Sequence, residues 1–212
     1  MEMAYGIGPR PLPPPSMKIY TRKGDDGTTG LLGNRRVLKS DPRIDCCGTL
    51  DELNAAIGVA VALLERPMDP AAIRSSAQLS DLIERLQRVQ GELFVLGAHV
   101  AVPDGQPAPR SVPPLSVRMI EHLEHEIDTA EARLEPLTSF ILPGGSPESA
   151  HLHLARAISR RAERVLVGLD RLQGAPAHSL AYLNRLTDWL FVQARLANQL
   201  ARVDDVPWKP TP

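Results

Sequence analysis

The sequence predicts an all-α fold, a bundle of four or five long helices, on three observations. Beyond Pro42, apolar residues recur at three- and four-residue steps through five long segments. Prolines and glycines punctuate those segments at their ends. No segment shows the two-residue alternation of a strand, and no internal repeat is visible. A chain of 212 residues suits one domain with a sizeable core, and its connections favour antiparallel neighbours.

Residues 1–16, MEMAYGIGPRPLPPPS, read as a disordered, proline-stiffened tail without the cationic and apolar regions of a secretory signal. Residues 17–21 suit a short extended piece, and the polar, glycine-rich stretch as far as Asp41 reads as loop. The first helix is expected at 49–65, where Thr49 caps, Glu52 completes a capping box and Pro67 stops the run. The second covers 73–99, with Leu79, Leu82, Leu86, Val89, Leu93 and Leu96 along one face. A loop with five prolines, 102–114, leads to the third helix at 115–133, which ends before Pro136. Ser146 caps the fourth, with Pro147 at its first position and Glu148 in its first turn; it stops at Gly174. The fifth spans 177–202, about 39 Å of rod at 1.5 Å per residue. The expected partition is a tail at 1–16, a helical-bundle domain at 17–203 and a C-terminal tail at 204–212.

Composition excludes several functions. With 24 Lys+Arg against 25 Asp+Glu the net charge is −1, so bulk attraction to nucleic acid or an anionic membrane is absent and any anion site must be built locally. Aromatic residues make up 4%, too few for base-stacking platforms. Cys46 and Cys47 are adjacent, fitting neither a disulfide framework nor a CxxC pair; they suit a reducing compartment, with one of them as a small buried apolar residue. No apolar run is read as long enough to span a bilayer. The expected location is the cytoplasm.

Two regions carry chemistry. TRKGDDGTTGLLGNRRVLK, residues 21–39, holds four glycines, three hydroxyls and five cations in 19 residues. Glycines let backbone N–H groups turn toward a ligand, and such a nest binds phosphate. Asp25 and Asp26 are placed either to help a Mg²⁺ or to hold the loop's own backbone. The stretch is neither a Walker A loop nor an EF-hand. On the fourth helix, a wheel with Arg156 at zero puts Arg160 near about 40° and Glu163 near about −20°, one stripe, with Arg164 extending it. Ala157, Ile158, Ala162, Val165, Leu166 and Leu169 fall between about 100° and 280° on the same wheel, and Arg161, near about 140°, lies within that arc and needs a partner. Arginines at successive four-residue steps repel unless an anion sits among them, and a guanidinium ladder suits phosphate oxygens.

A di-iron bundle would need two ExxH pairs and two further glutamates; only Glu148 and His151 provide one. His151 and His153 diverge on a helix, His122 and His125 sit in a glutamate-rich exposed stretch, and no metal site built from protein ligands is expected.

The motifs IYTRKGDDG, GTLDELN, FILPGG, RAISRRAER and LNRLTDWLF, in that order, resemble the PduO-type ATP:cob(I)alamin adenosyltransferases over residues 18–201. The resemblance implies a five-helix bundle with ferritin-like up-down packing and the N-terminal glycine-rich loop, assembled as a homotrimer with active sites between subunits. It implies that Thr21, Arg22, Lys23, Gly24, Thr29 and Gly30 wrap the triphosphate of ATP, with Lys39 as a further contact. Arg160, Arg161, Ala162, Glu163, Arg164 and Asn184 then border the nucleotide. Asp51 pairs with Arg156 of the neighbouring subunit, which accounts for an arginine facing off the bundle, and Phe140 lies against the lower face of the corrin. Lys23 and Asp26 differ from the residues of some members without removing a motif position.

The implied reaction is transfer of the 5′-deoxyadenosyl group of ATP to cob(I)alamin, giving adenosylcobalamin and triphosphate, with Mg²⁺ held mainly by the ATP phosphates. A reductase and an adenosylcobalamin-dependent mutase are the expected partners. Two other classes compete: a nucleotide-responsive cobalamin carrier without turnover, and a non-enzymatic helical interaction protein.

Overall fold

A computed structural model of the chain describes residues 19–33, 35–66, 76–103 and 105–210. The expected tail at 1–16, residues 17 and 18 of the extended piece, the start of the second helix at 73 and the last two residues lie outside them. Five long helices form the fold: α1 (Pro42–Leu64), α2 (Ser76–Val100), α3 (Val117–Glu131), α4 (Pro147–Gln173) and α5 (Ser179–Ala201). Two small antiparallel ribbons accompany them, β1 (Thr28–Gly30) with β2 (Arg36–Leu38) and β3 (Ile141–Leu142) with β4 (Val206–Pro207).

Helix α1 begins a full two turns before the expected Thr49. Asp41, with φ −62° and ψ 136°, accepts from the Arg43 amide at 2.9 Å, and Pro42 occupies the first turn, where its missing N–H costs nothing. Thr49 is therefore interior; its hydroxyl donates to the Asp45 carbonyl at 2.8 Å, and the capping box is not used. Starting at Pro42 makes α1 a 23-residue helix, long and apolar enough by length and composition to cross a membrane, which overturns the expectation that no run reaches that length. Here Leu50, Leu53, Ile57, Ala60 and Leu64 are instead buried in the bundle core. Helix α3 starts at Val117 behind a Ser116 cap, two residues later than expected. Helix α4 starts at the expected cap: Ser146 Oγ accepts from Ser149 N at 3.2 Å.

The packing is up-down. Arg43 donates to the last carbonyls of two other rods, Val100 at 2.9 Å and Gln173 at 3.3 Å, so α2 and α4 both end where α1 begins. Asn54 and Gln90 exchange side-chain to backbone hydrogen bonds at 3.0 and 3.1 Å across α1 and α2. Asn198 near the end of α5 meets Ser146 at the start of α4, so these two are antiparallel, whereas Glu124 to Arg185 and Arg133 to Gln199 make α3 parallel to α5. Leu86, Leu93, Leu96, Leu152, Leu166 and Trp189 fill the centre, each contributing about 1.5–3 kcal/mol by leaving water. One polar cluster in the bundle is fully matched: Arg88 joins Glu92 at 2.6 Å and Glu126 at 2.8 Å, and those carboxylates accept from Tyr182 and Trp189, both at 2.8 Å. Cys46 is fully buried, and burial first, then the neighbouring Cys47 and Asp45, push its thiol up to about 12, so it acts as a small apolar core residue.

The chain after α5 is no tail in its described part. Residues 205–208 return along the bundle, and β4 pairs Val206 with Leu142 and Pro207 with Ile141.

Candidate active site

The glycine-rich stretch is a hairpin rather than a loop. Thr28, Thr29 and Gly30 pair with Leu38, Val37 and Arg36, while Leu31, the buried residue of the hairpin, and the Leu32 amide, bonded to the Ala101 carbonyl at 3.0 Å, dock it on the end of α2. The preceding turn curls back on itself. Arg22 adopts φ 61°, a conformation few side chains accept, with its guanidinium 5.6 Å from the Tyr20 ring centroid. Gly24 needs no positive φ, but a Cβ there would meet Thr28 O at 3.1 Å and Lys39 Nζ at 3.4 Å. The Lys39 ammonium therefore sits directly over the turn.

Arg36 holds that turn closed. Its Nη2 donates to the Lys23 carbonyl at 2.5 Å and to the Thr28 hydroxyl, its Nε reaches the same hydroxyl at 3.1 Å, and Asp26 lies 3.7 Å away. Asp26 accepts from the Thr28 hydroxyl at 2.7 Å and amide at 3.0 Å; those bonds, and then Arg36, keep its carboxyl below the ordinary range. Of the two roles open to Asp26 in the sequence, the structure shows it bracing the backbone. Thr21, Arg22, Lys23, Gly30 and Lys39 are exposed, and Gly24 and Thr29 half-buried. This is a surface rich in donors and cations, pre-shaped for an anion.

Helix α4 presents the second half. Its buried residues Ala155, Ile158, Ser159, Ala162, Leu166 and Leu169 fall between about 200° and 300° on the wheel, a core face that overlaps the expected arc but is centred about 60° further round. Ser159, a polar residue hidden from a hydrophobicity count, extends that face to about 300° and accepts from Thr187 at 3.2 Å, while His153, 3% exposed, is buried on a different side at about 60°. Ala157 is consequently exposed, and Arg161 is not in the core; it emerges toward α1 and pairs there with Glu52. Ala162 is fully buried, so within 160–164 it alone offers no side chain at the surface. Glu163 accepts from Asn184 of α5 at 3.0 Å, and Arg164 donates to the Arg160 carbonyl at 3.0 Å.

Arg156 is half-buried rather than facing off the bundle. Its guanidinium lies 5.9 Å from the Phe191 ring centroid, its Nε is buried without a partner, and burial, then Arg160, lowers its pKa. Both arginines line an open cleft of about 430 Å³ between α3, α4 and α5, with Phe191, Arg185, Asp188 and Glu124. Asp51 is on the opposite edge, beside a cleft of about 340 Å³ lined by Leu32, Leu93 and the 70% exposed Phe94. Among the described residues no hydrogen bond or ion pair joins Asp51 to Arg156, or the hairpin to the stripe on α4.

Phe140 stands 81% exposed just ahead of β3. Its ring meets Trp208 edge-on, centroids 6.5 Å apart at 71°, and its carbonyl accepts from the Trp208 amide at 2.7 Å. Sequence reasoning missed Arg36, Phe191, Trp208 and the anchors Arg195, Asn198 and Asp205; a phenylalanine four residues beyond the core Thr187 was the one legible signal among them.

A helical bundle with a braced cationic turn at one edge and a guanidinium stripe at another offers two surfaces suited to the oxygens of an anion. The family model described as cobalamin adenosyltransferase matches residues 19–197. The corrinoid adenosyltransferase of Mycobacterium tuberculosis is 42% identical over 197 residues, 91% of this chain and 93% of that protein. That of Bacillus subtilis is 38% identical over 193 residues, with 91% and 93% covered. The corrinoid adenosyltransferase PduO of Citrobacter freundii is 40% identical over 190 residues, but the chain spans only 52% of that relative's length. A PduO-type ATP:corrinoid adenosyltransferase from Lactobacillus reuteri, a phenylalanine-to-histidine variant complexed with cobalamin and ATP, superposes with a TM-score of 0.79 at 33% identity, covering 91% of this chain and 97% of its own. An arginine-to-lysine variant of the same enzyme complexed with ATP gives 0.77 at 33% identity, with 90% and 100% covered. The chain belongs to the cobalamin adenosyltransferase family.

Proposed function

We propose that this protein transfers the 5′-deoxyadenosyl group of ATP to cob(I)alamin, forming adenosylcobalamin and triphosphate. The observation that carries the reading is the family match over residues 19–197, which takes in all five motifs, together with the likeness to a structure bound to both ATP and cobalamin.

Cobalt(I) supplies the electron pair that forms the Co–C bond at the 5′ carbon, and the C–O bond breaks with its pair leaving on triphosphate. The protein's tasks are to align cobalt with that carbon and to stabilise the leaving charge. Thr21, Arg22, Lys23, Gly24, Thr29 and Gly30 wrap the triphosphate, with the Lys39 ammonium over the turn. Arg160 and Arg164 add charge from α4, Glu163 and Asn184 face the nucleoside, Arg161 borders it, and Ala162 keeps the rod packed behind them. Mg²⁺ arrives on the ATP phosphates and neutralises part of their charge.

Because the turn and the arginine stripe occupy different edges of one chain, the complete site is formed between copies. Asp51 of one subunit satisfies Arg156 of the next in a homotrimer, which gives the buried, unpartnered Arg156 Nε an acceptor. Phe140 covers the lower face of the corrin, excluding an axial ligand so that Co(II) is more easily reduced by a partner reductase. The product then serves an adenosylcobalamin-dependent mutase, and the setting is cytoplasmic.

The test mixes the protein with Mg-ATP and excess reduced cobalamin and follows the adenosylcobalamin spectrum. Many turnovers per subunit are expected. Binding of both compounds with no conversion would instead identify a carrier.

A further inference from the structure

The segment after α5 behaves as a strap, and the side chains that fasten it also fasten the loop bearing Phe140. Arg195, 8% exposed, donates from Nε to Asp205 Oδ2 at 2.7 Å and from Nη2 to the Glu135 carbonyl at 2.6 Å. Asn198, 3% exposed, donates to Asp205 Oδ1 at 3.0 Å and to the Gly144 carbonyl at 3.3 Å, while its Oδ1 accepts from Ser146 N at 2.9 Å. One end of the 135–146 loop is thus held by Arg195 and the other by Asn198. Asp205 bridges the two. Its carboxylate accepts from both side chains, one on each oxygen.

From Asp205 the strap runs straight to the aromatic. Val206 and Pro207 pair with Leu142 and Ile141, and Trp208 then bonds the Phe140 backbone and props its ring edge-on. The far turn has no slack: Gly145 has φ 99°, and a Cβ there would fall 2.2 Å from Asn198 Oδ1. A highly exposed ring held through its backbone at this many points is a presented ring. An anchored backbone is what keeps a functional side chain within the fraction of an ångström its task demands.

We propose that Asp205 is a positioning residue which, by locking the strap to Arg195 and Asn198, sets Phe140 for the Co(II) step; this rests on the corrinoid reading given above. Among the described residues no hydrogen bond or ion pair joins the strap to the hairpin or to Arg160, so ATP binding and the transfer from Co(I) are not expected to depend on it.

The experiment compares Asp205→Ala, Asp205→Asn and Phe140→Ala in the full chain. Three quantities are read: turnover from Co(II) with a reductant, turnover from chemically supplied Co(I), and KM for ATP. Asp205→Ala is expected to lower the Co(II) rate about tenfold or more, while the Co(I) rate and the ATP KM stay within about twofold. Asp205→Asn, which keeps the acceptor for Asn198 but loses the charge facing Arg195, is expected to fall between parent and alanine. The same variants should weaken the spectroscopic signature of four-coordinate Co(II) in the ATP-bound enzyme, which a merely stabilising strap would leave intact.

Equal losses from Co(II) and Co(I) would overturn the proposal, as would an unchanged Co(II) rate. Should Asp205→Ala fail to fold, Asp205→Asn decides by the same split. If Phe140→Ala itself shows no split, the corrinoid reading of Phe140 fails. If Phe140→Ala shows it and the Asp205 variants do not, only the strap proposal fails.

Discussion

Arg36 lies outside every motif, yet removing it should damage the use of ATP. Three contacts are lost in Arg36→Ala: the bond to the Lys23 carbonyl, the paired bonds to the Thr28 hydroxyl, and the ion pair with Asp26 at 3.7 Å. A hydrogen bond nets about 0.5–1.5 kcal/mol, and an exposed ion pair about 0–1 kcal/mol. Arg36 is 45% exposed, so water replaces part of each contact and the sum settles near about 1–2 kcal/mol. That is the work ATP must then do to close the turn, and it appears as an ATP KM raised about five- to thirtyfold at 1.36 kcal/mol per tenfold. The rate at saturation should hold, because Arg36 acts before the chemistry. The hairpin lies at the bundle's edge, so the melting temperature should change little. Steady-state kinetics against ATP provide the assay, with Arg36→Lys alongside, since one ammonium cannot reproduce the fork that spans Lys23 and Thr28. An ATP KM within twofold of the parent in both variants would refute this account of the turn.

Arg160→Ala should weaken ATP use by about 1.5–3 kcal/mol, the range for hydrogen bonds to a charged group; unaltered ATP kinetics would place Arg160 outside the site. Asp51→Asn should lower activity while leaving the far-ultraviolet circular dichroism of the bundle unchanged, and a fully active variant would rule out its pairing with Arg156. His153 supplies a pH test. Burial first, then Arg156, pull its pKa down to about 4 from 6.5, so the unfolded chain binds the extra proton between those values. The stability it contributes is complete above pH 6.5 and is lost as pH falls toward 4, by up to about 3 kcal/mol. Urea denaturation at pH 7.5 and 4.5 should show a smaller difference for His153→Leu than for the parent; identical differences would contradict it.

The helices were legible where local chemistry was unambiguous. Ser146 before Pro147 marks the start of α4, and Gly174, at φ 77°, marks its end. At α1 two start signals compete, and the Asp41–Pro42 pair prevails over the Thr49–Glu52 box because the preceding residues 43–48 hold Cys46 in the core. Strands of two and three residues are too short for alternation to register, so neither ribbon was readable. The buried face of α4 shifted by about 60° because Ala157 at one edge of the expected arc is exposed while Ser159 beyond the other edge is buried, and a count of apolar residues misses both. The anchoring roles of Arg36, Arg195 and Asn198 each include a bond to the backbone carbonyl of a residue distant in sequence, which leaves no spacing pattern to read.

Helix α1 has one further consequence. It is unbroken from Pro42, and its Asp41 cap amide is bonded to the Leu38 carbonyl at 3.0 Å, so Lys39 is effectively the handle of a lever whose shaft carries Asp51 about 15 Å along. Arg43 clamps the base of that shaft to the ends of two other rods, which leaves little room for the handle to move alone. In the function proposed above Lys39 meets the phosphates and Asp51 meets the adjoining copy, so a single rigid rod would carry both contacts and fix the spacing between them.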